Sequence, residues 1–115
     1  RISKQLVGDA LKIENISPAF WTATKELGEN SAYLRLYLEN PDSLVEKTLY
    51  DRINKRMKEL DQDYNDVHDL LGHDPLKITI LEEGTFEKYK YKYGTEIGRI
   101  NPTQVEVDQL LNLQE

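Results

Sequence analysis

The two histidines are the first residues to consider for chemistry, because imidazole nitrogen is a common ligand of transition metals. His68 and His73 lie five positions apart, and they are the only histidines in the chain. Carboxylates able to complete a metal site lie close by in sequence: Asp66, Asp69 and Asp74. Gly72 separates the two histidines, however, and glycine there is typical of a helix end, so the two rings need not share a face. We therefore predict a solvated helix end and turn at this point, and no metal site.

Aromatic side chains suggest a second chemistry, the stacking of nucleic-acid bases on a sheet. Tyr33 and Tyr37 fall on one face of a predicted strand, and Phe20 and Trp21 lie in the strand before it. The chain carries a formal net charge of −6, whereas nucleic-acid binding needs a basic face. We therefore expect a helix to cover the tyrosine face, with the hydroxyl groups at its rim.

A basic run near the end of the chain is a third candidate. Lysines and tyrosines alternate in it, in the order Lys88, Tyr89, Lys90, Tyr91, Lys92 and Tyr93. Residues two positions apart point in different directions on a helix. The run therefore predicts a solvated helix face and not a binding patch.

Signals for phosphate binding and covalent catalysis are absent from the sequence. No Walker A pattern of glycines followed by Lys and Ser or Thr occurs, and Gly94, Gly98 and Pro102 are too sparse for a phosphate-binding loop. The chain has no cysteine, and no serine is flanked by a credible general base. Taken alone, these residues predict a partner domain without a complete active site.

The elements that position these residues follow from the hydrophobic pattern. The predicted ranges are a helix over 2–14, strands over 19–26 and 32–39, a long helix from 43, a strand over 76–81 and a helix over 85–93. In the tail, Val107, Leu110 and Leu111 predict one or two further helical turns. The fold class is therefore α+β, a small mixed sheet of a hairpin plus a crossover strand, packed by helices in the order αββαβα.

Local signals predict where these elements start, stop and pair. We expect the long helix to break near Asp61-Gln62-Asp63 and its second part to run to Gly72. Ser43 and Glu46 have capping-box spacing at its start, and Thr85 is expected to cap the helix that follows the third strand. A right-handed crossover makes the second and third strands parallel, either as neighbours or with one strand between them.

Composition predicts one domain with neither a nucleic-acid nor a membrane partner. The 115 residues are about the modal size of a domain, and 31% of them are charged, with both signs interleaved. No apolar run approaches the roughly 18 residues that span a bilayer. The lack of cysteine fits the cytoplasm, and the first residues show neither a signal-peptide pattern nor an initiator Met. We expect residues 1–115 to be a single soluble, cytoplasmic domain taken from a larger two-domain protein.

Three segments resemble, in the same order, the C-terminal domain of the Gretchen Hagen (auxin-responsive promoter) family of acyl-acid amido synthetases. The strand over 76–81, two residues and Gly84-Thr85-Phe86 resemble a segment near that family's end. Asp63-Tyr64 is similar to its Asn/Asp-x-Tyr region, and residues 98–102 are similar to its terminal Gly-Gln-x-Lys-x-Pro loop. The resemblance covers nearly the whole chain, and Gly84-Thr85-Phe86 is its most specific part.

This family belongs to the adenylate-forming enzymes, so the resemblance implies carboxylate activation by ATP and then attack by an amino-acid amine. It implies that residues 1–115 form the C-terminal mobile lid and that the partner is an N-terminal adenylating domain of the same chain. ATP and Mg would bind to the full-length protein, and none is expected in this domain alone. The fragment by itself is not expected to be active, because a lid completes a site that the larger domain holds.

The terminal loop departs from the family's pattern. Asn101 stands where the family usually has Lys, and Gln104 stands at a following Arg position. The resemblance therefore implies Asn101 and Arg99 as the candidate catalytic residues, with the Arg99 cation in place of the missing one. Two alternatives stay open: a stand-alone module of ferredoxin-like arrangement that binds a ligand or a protein, and a degenerate family member without catalysis.

Overall fold

The computed structural model describes residues 4–16, 20–27, 32–39, 44–98 and 102–114, apart from the side chains of Lys4, Ala32 and His68. In chain order its elements are α1 Lys4–Ile13, β1 Trp21–Leu27, β2 Ala32–Glu39, α2 Glu46–Leu60, α3 Gln62–Leu71, β3 Leu76–Leu81, α4 Thr85–Tyr93 and α5 Gln104–Leu111. The α+β class with a small mixed sheet is therefore confirmed. Among the described helices, none is long and apolar enough to cross a bilayer.

The observed element order, αββααβαα, departs from the predicted αββαβα in two places. The long helix is two helices, as the predicted break requires, and the tail ends in a helix of its own, α5. This order is also not the βαββαβ order of a ferredoxin-like domain. The ferredoxin-like alternative therefore differs from the described elements in this order.

The described strands form a three-stranded sheet in the order β1-β2-β3. β1 and β2 are antiparallel, with Trp21 opposite Leu38. β2 and β3 are parallel neighbours, with Leu36 opposite Ile78. The crossover through α2 and α3 thus pairs the strands in one of the two ways predicted.

One face of this sheet holds the main core. The alternating leucines of β2 point into it, as the period of two predicts, and Leu36 and Leu38 are fully buried. Residues from α1, α2 and α3 pack on the same face: Leu6, Val7, Ala10, Leu11, Leu49, Ile53, Met57 and Tyr64. Burial of these apolar side chains is what drives the three helices onto the sheet.

Among the described residues, the cluster on the opposite face lies where β2 and β3 end. There α4, α5 and the chain that joins them form a second cluster of Leu81, Phe86, Tyr89, Ile97 and Leu110, with Phe20, Tyr37, Tyr93 and Leu113 packed against it. The predicted cover of the tyrosine face is therefore right for Tyr37 and wrong for Tyr33. The Tyr33 ring stacks on His73, with 5.2 Å between ring centroids.

The break between α2 and α3 is made by Asp61. Its backbone is extended, with φ −144° and ψ 112°. Its Oδ1 accepts from the N–H groups of Asp63 and Tyr64, at 2.8 and 3.3 Å. Asp61 thus ends one helix and caps the next. Asp63-Tyr64 consequently lies in the first turn of α3.

The start of α2 differs from the predicted capping box. Ser43 lies outside the described residues, and the residue in the N-cap position is Val45, which supplies no side-chain cap. Leu44 packs against the core, and the backbone is extended at Val45, with ψ 139°. The helix therefore begins at Glu46, later than predicted.

Candidate functional site

Both predicted catalytic residues, Arg99 and Asn101, lie outside the described residues. The site is therefore defined by the two ends of the described chain that flank them, Gly98 and Pro102. These ends lie against each other, because a methyl group placed on Gly98 would be 3.6 Å from the Cα of Pro102. We call the contact between them the loop neck.

The loop neck is bonded to the first turn of α5. Glu106 Oε1 accepts from the N–H of Thr103 at 2.8 Å, and Glu106 Oε2 accepts from the N–H of Gly98 at 3.3 Å. Thr103 Oγ1 accepts from the N–H of Glu106 at 3.1 Å, which completes a capping box. The Thr103 N–H, aided by the Gly98 N–H, holds the pKa of the Glu106 carboxyl below its ordinary value, although partial burial acts the other way.

The loop neck is also bonded to the sheet. Thr22 lies on β1 with its side chain fully buried, and its hydroxyl donates a hydrogen bond to the carbonyl of Gly98. The two peptide groups of Gly98 are thus held by different elements, the N–H by α5 and the C=O by β1. The capping box can be recognised in the sequence from the spacing of Thr103 and Glu106. No local pattern indicates that Thr22 bonds Gly98.

A pocket of about 280 Å³ opens beside the chain that leads to Gly98. Apolar side chains from β1, α4 and this chain line it: Phe20, Trp21, Phe86 and Ile97. Charged side chains also line it, and among them Lys90 Nζ lies 3.8 Å from Glu96 Oε2. Ligand pockets usually measure about 300–1,000 Å³, so this one is at the small end of that range.

Gly84-Thr85-Phe86, the most specific part of the resemblance, is part of the scaffold. Gly84 is left-handed, with φ 88°, and it is the N-cap of α4 although it has no side chain to cap with. The buried carboxylate of Glu39 caps α4 instead. It accepts from the N–H groups of Gly84 and Phe86 at 2.8 and 3.0 Å. The prediction that Thr85 caps α4 is therefore wrong; its hydroxyl donates to the carbonyl of Glu82 at 2.6 Å.

Asp63-Tyr64, the second segment of the resemblance, also has a structural role. The buried Tyr64 hydroxyl donates to Asn54 Oδ1 at 2.7 Å, and Asn54 Nδ2 donates to Asp74 Oδ2 at 2.8 Å. Lys58 Nζ lies 2.9 Å from Asp74 Oδ1. Burial raises the pKa of Tyr64 far above its ordinary value, so this hydroxyl remains a donor. The network joins α2, α3 and the start of β3.

Of the histidine and lysine candidates, Lys90 lines the pocket beside the loop neck. The His73 ring packs on Tyr33, its Nδ1 is 3.1 Å from the carbonyl oxygen of Asp74, and the His68 side chain is not among those described. Within the described side chains, no three His, Asp or Glu residues are grouped so that they could hold a metal ion. The three lysines of α4 are exposed, as predicted for a solvated face, but Tyr89 of the same run is buried in the second cluster. Gln104 is exposed too, and its amide donates to Asp108 Oδ1 at 2.9 Å.

The Glu106 carboxylate makes the stability of the loop neck depend on pH. A carboxyl whose pKa is lowered by folding stabilises the fold above its unfolded pKa, about 4.3, and this contribution is lost as the pH falls through the lower folded pKa. Glu106→Gln is therefore expected to lower the unfolding free energy by about 1 kcal/mol at pH 7, and the difference from wild type should shrink towards pH 3. Urea denaturation of both proteins at the two pH values measures this; an equal difference at both would contradict it.

Comparison with known proteins does not place the chain in a family: no family model, no curated protein and no solved structure matches it. The class that the fold and site define is a small α+β domain. Its distinguishing feature is a loop neck near the C-terminal helix, fastened to two elements and flanked by a small pocket.

Proposed function

We propose that residues 1–115 form the C-terminal mobile lid of an ATP-dependent acyl-acid amido synthetase of the Gretchen Hagen type. In this reaction an organic acid is first joined to AMP with release of pyrophosphate, and the amine of an amino acid then displaces AMP to form an amide. The lid closes on the adenylating domain of the same chain and excludes water from the acyl-adenylate.

The loop neck is the observation that carries this proposal. A lid acts only if the groups it brings arrive in register with the bound substrate, which requires a rigid attachment. Gly98 and Thr103, the two residues that the Glu106 carboxylate bonds, enclose Arg99 and Asn101 in the sequence. A segment attached in this way is suited to present a guanidinium and an amide to a neighbouring domain.

In this proposal ATP and Mg²⁺ bind to the adenylating domain. The described residues include no cluster of carboxylates for a metal ion, and the glycines form no phosphate-binding loop. This chain would supply the Arg99 cation, which stabilises negative charge on the reacting carboxylate and phosphate oxygens, and the Asn101 amide as a neutral hydrogen-bond donor.

The test uses the full-length parent protein, with ATP–pyrophosphate exchange measured over a panel of organic acids. Arg99→Ala is expected to slow exchange by about a hundredfold, since removal of one charge-stabilising donor has an effect of that order. Asn101→Lys is expected to accelerate exchange, because it restores the cation found in the family. Lys88→Ala, on the exposed face of α4, is the control and should leave the rate unchanged.

Two results would contradict the proposal. If Arg99→Ala and Asn101→Lys both leave ATP–pyrophosphate exchange and amide formation unchanged, the terminal loop has no catalytic role. If the parent releases no pyrophosphate with any acid, the adenylating lid is the wrong function.

A non-catalytic module that binds a ligand or a protein is the second candidate, and the pocket beside Gly98 favours it. Apolar walls with charged neighbours suit a side chain of a partner protein. The length of the parent open reading frame separates the two candidates. A frame with an adenylating domain upstream supports the lid, and a frame that ends near residue 115 without one supports the module.

A further inference from the structure

We propose that the side chains of Arg35 and Tyr50 close the free edge of β3 and so prevent β3 from pairing with the same strand of a second copy of this chain. β3 is an outer strand of the described sheet, so one of its edges pairs with β2 and the other pairs with no described strand. This inference is independent of the proposed ligase activity, because it concerns how the sheet meets other protein molecules.

The hydrogen bonds between β2 and β3 determine which backbone groups of β3 point away from the sheet. The N–H of Leu34 donates to the carbonyl of Pro75 at 2.7 Å, and Leu34 lies opposite Leu76. In a parallel pair, alternate residues of a strand bond to the neighbouring strand. The backbone groups of Leu76, Ile78 and Ile80 therefore point outwards, along the free edge.

Two of these outward carbonyls already accept a hydrogen bond from a side chain. The hydroxyl of Tyr50, on α2, donates to the Leu76 carbonyl at 3.0 Å. The Nη1 of Arg35, on β2, donates to the Ile78 carbonyl at 3.4 Å. Tyr50 packs with the main core, whereas Arg35 alternates with the buried leucines of β2 and so lies on the opposite face. The free edge is thus covered from both faces of the sheet.

The Arg35 guanidinium is held in this position by bonds to both outer strands. Its Nε and Nη2 donate to the two carboxylate oxygens of Glu26 on β1, at 3.1 and 3.2 Å. Its Nη1 also donates to Thr79 Oγ1 on β3 at 3.1 Å. A planar guanidinium bound to a carboxylate through two bonds has a fixed orientation. Arg35 is therefore a fixed cover for the edge.

Without these covers the free edge of β3 would be complementary to itself. Two antiparallel residues can exchange a pair of N–H to C=O bonds, and a two-fold axis would place Ile78 opposite Ile78 of the second copy. Leu76 would then lie opposite Ile80 of that copy. The N–H groups of Ile78 and Ile80 have no partner among the described residues, but the carbonyls they would need are those occupied by Arg35 and Tyr50. Unpaired edge strands promote aggregation, and natural proteins block them with charged side chains.

The test compares the double variant Arg35→Met/Tyr50→Phe with wild type in the full-length parent. Met and Phe retain much of the apolar volume but donate no hydrogen bond, so both outward carbonyls become free. Arg52→Met/Tyr91→Phe is the matched control, because it removes the same chemical groups from exposed positions on α2 and α4. Sedimentation velocity over a concentration series measures self-association, and hydrogen exchange at the Ile78 and Ile80 amides locates the contact.

We expect the double variant to self-associate at least about tenfold more tightly than wild type, since each backbone bond gained in the pair stabilises it modestly. Its Ile78 and Ile80 amides should exchange about tenfold more slowly at concentrations where the dimer forms. The control should match wild type in both measurements.

Two results would overturn the inference: self-association of the double variant no tighter than that of the control, or tighter association with unchanged exchange at Ile78. Circular dichroism shows whether the double variant folds. If it does not, Arg35→Met alone, which frees the Ile78 carbonyl, is judged by the same two results. Because none of these measurements uses ligase activity, failure of the proposed function leaves this test intact.

Discussion

Replacing Glu39 with glutamine is expected to lower the free energy of unfolding by about 3 kcal/mol. The Glu39 side chain is buried, with the residue 6% exposed, and each of its oxygens accepts a backbone N–H from the first turn of α4. Glutamine has nearly the same shape, but its NH₂ group would face one of those N–H donors. One backbone N–H is then buried without an acceptor, and the favourable meeting of a negative charge with the helix N-terminus is lost.

Urea denaturation at pH 7 measures this loss, and Glu87→Gln is its matched control. Glu87 lies in the same first turn of α4 but is exposed, so the identical substitution there should change stability by less than about 0.5 kcal/mol. A loss below about 1 kcal/mol for Glu39→Gln would show that the N-terminus of α4 does not depend on this carboxylate.

Asn54→Ala is expected to destabilise the fold by a similar amount, about 3 kcal/mol. Asn54 is 7% exposed and joins the Tyr64 hydroxyl to the Asp74 carboxylate. Its removal leaves a buried hydroxyl without an acceptor and takes one donor from Asp74. Tyr64→Phe, which removes only the hydroxyl, should have a smaller effect of about 1.5 kcal/mol.

A double-mutant cycle tests whether these two side chains act together. The double variant should lose at least about 1 kcal/mol less than the sum of the single losses, because both substitutions break the same bond. Tyr91→Phe is the control for loss of a tyrosine hydroxyl, since Tyr91 is 93% exposed and should change stability little. Strict additivity of Asn54→Ala and Tyr64→Phe would mean that the bond contributes nothing.

Elements with strong local signals were predictable from the sequence. β3 spans Leu76–Leu81 as the apolar run indicates, and the leucines of β2 are buried as their spacing of two requires. The break at Asp61 follows from poor helix formers in sequence, and Gly94 ends α4 in a left-handed conformation with φ 75°. In each case the cause lies within a few residues of the effect.

Contacts between distant residues were not predictable, because no local pattern encodes them. Glu39 lies 45 positions before Gly84, and Thr22 lies 76 positions before Gly98. The assignment of Thr85 as a cap failed for this reason, since capping rules consider only the neighbouring residues. Tyr33 and Tyr37 share a strand face, but their spacing does not reveal that α4 and α5 cover only one of them.

The candidate site was predictable only in part. The capping-box spacing of Thr103 and Glu106 is visible in the sequence, whereas the second bond of Glu106 to Gly98 depends on how the chain returns to α5. Arg99 and Asn101 became candidates through the family resemblance, and their chemical roles stay predictions. The described side chains at the loop neck, those of Thr22, Thr103 and Glu106, each bond a backbone group.

Comparing the full-length parent with the same protein truncated immediately before Arg1 tests most directly whether this domain completes an active site held elsewhere in the chain. Amide formation from an organic acid, an amino acid and ATP should be readily detectable with the full-length protein. It should fall by at least about a hundredfold after truncation, while the 115-residue chain alone shows none. Equal ligation by the truncated protein, or turnover by the isolated 115-residue chain, would contradict the assignment of a lid.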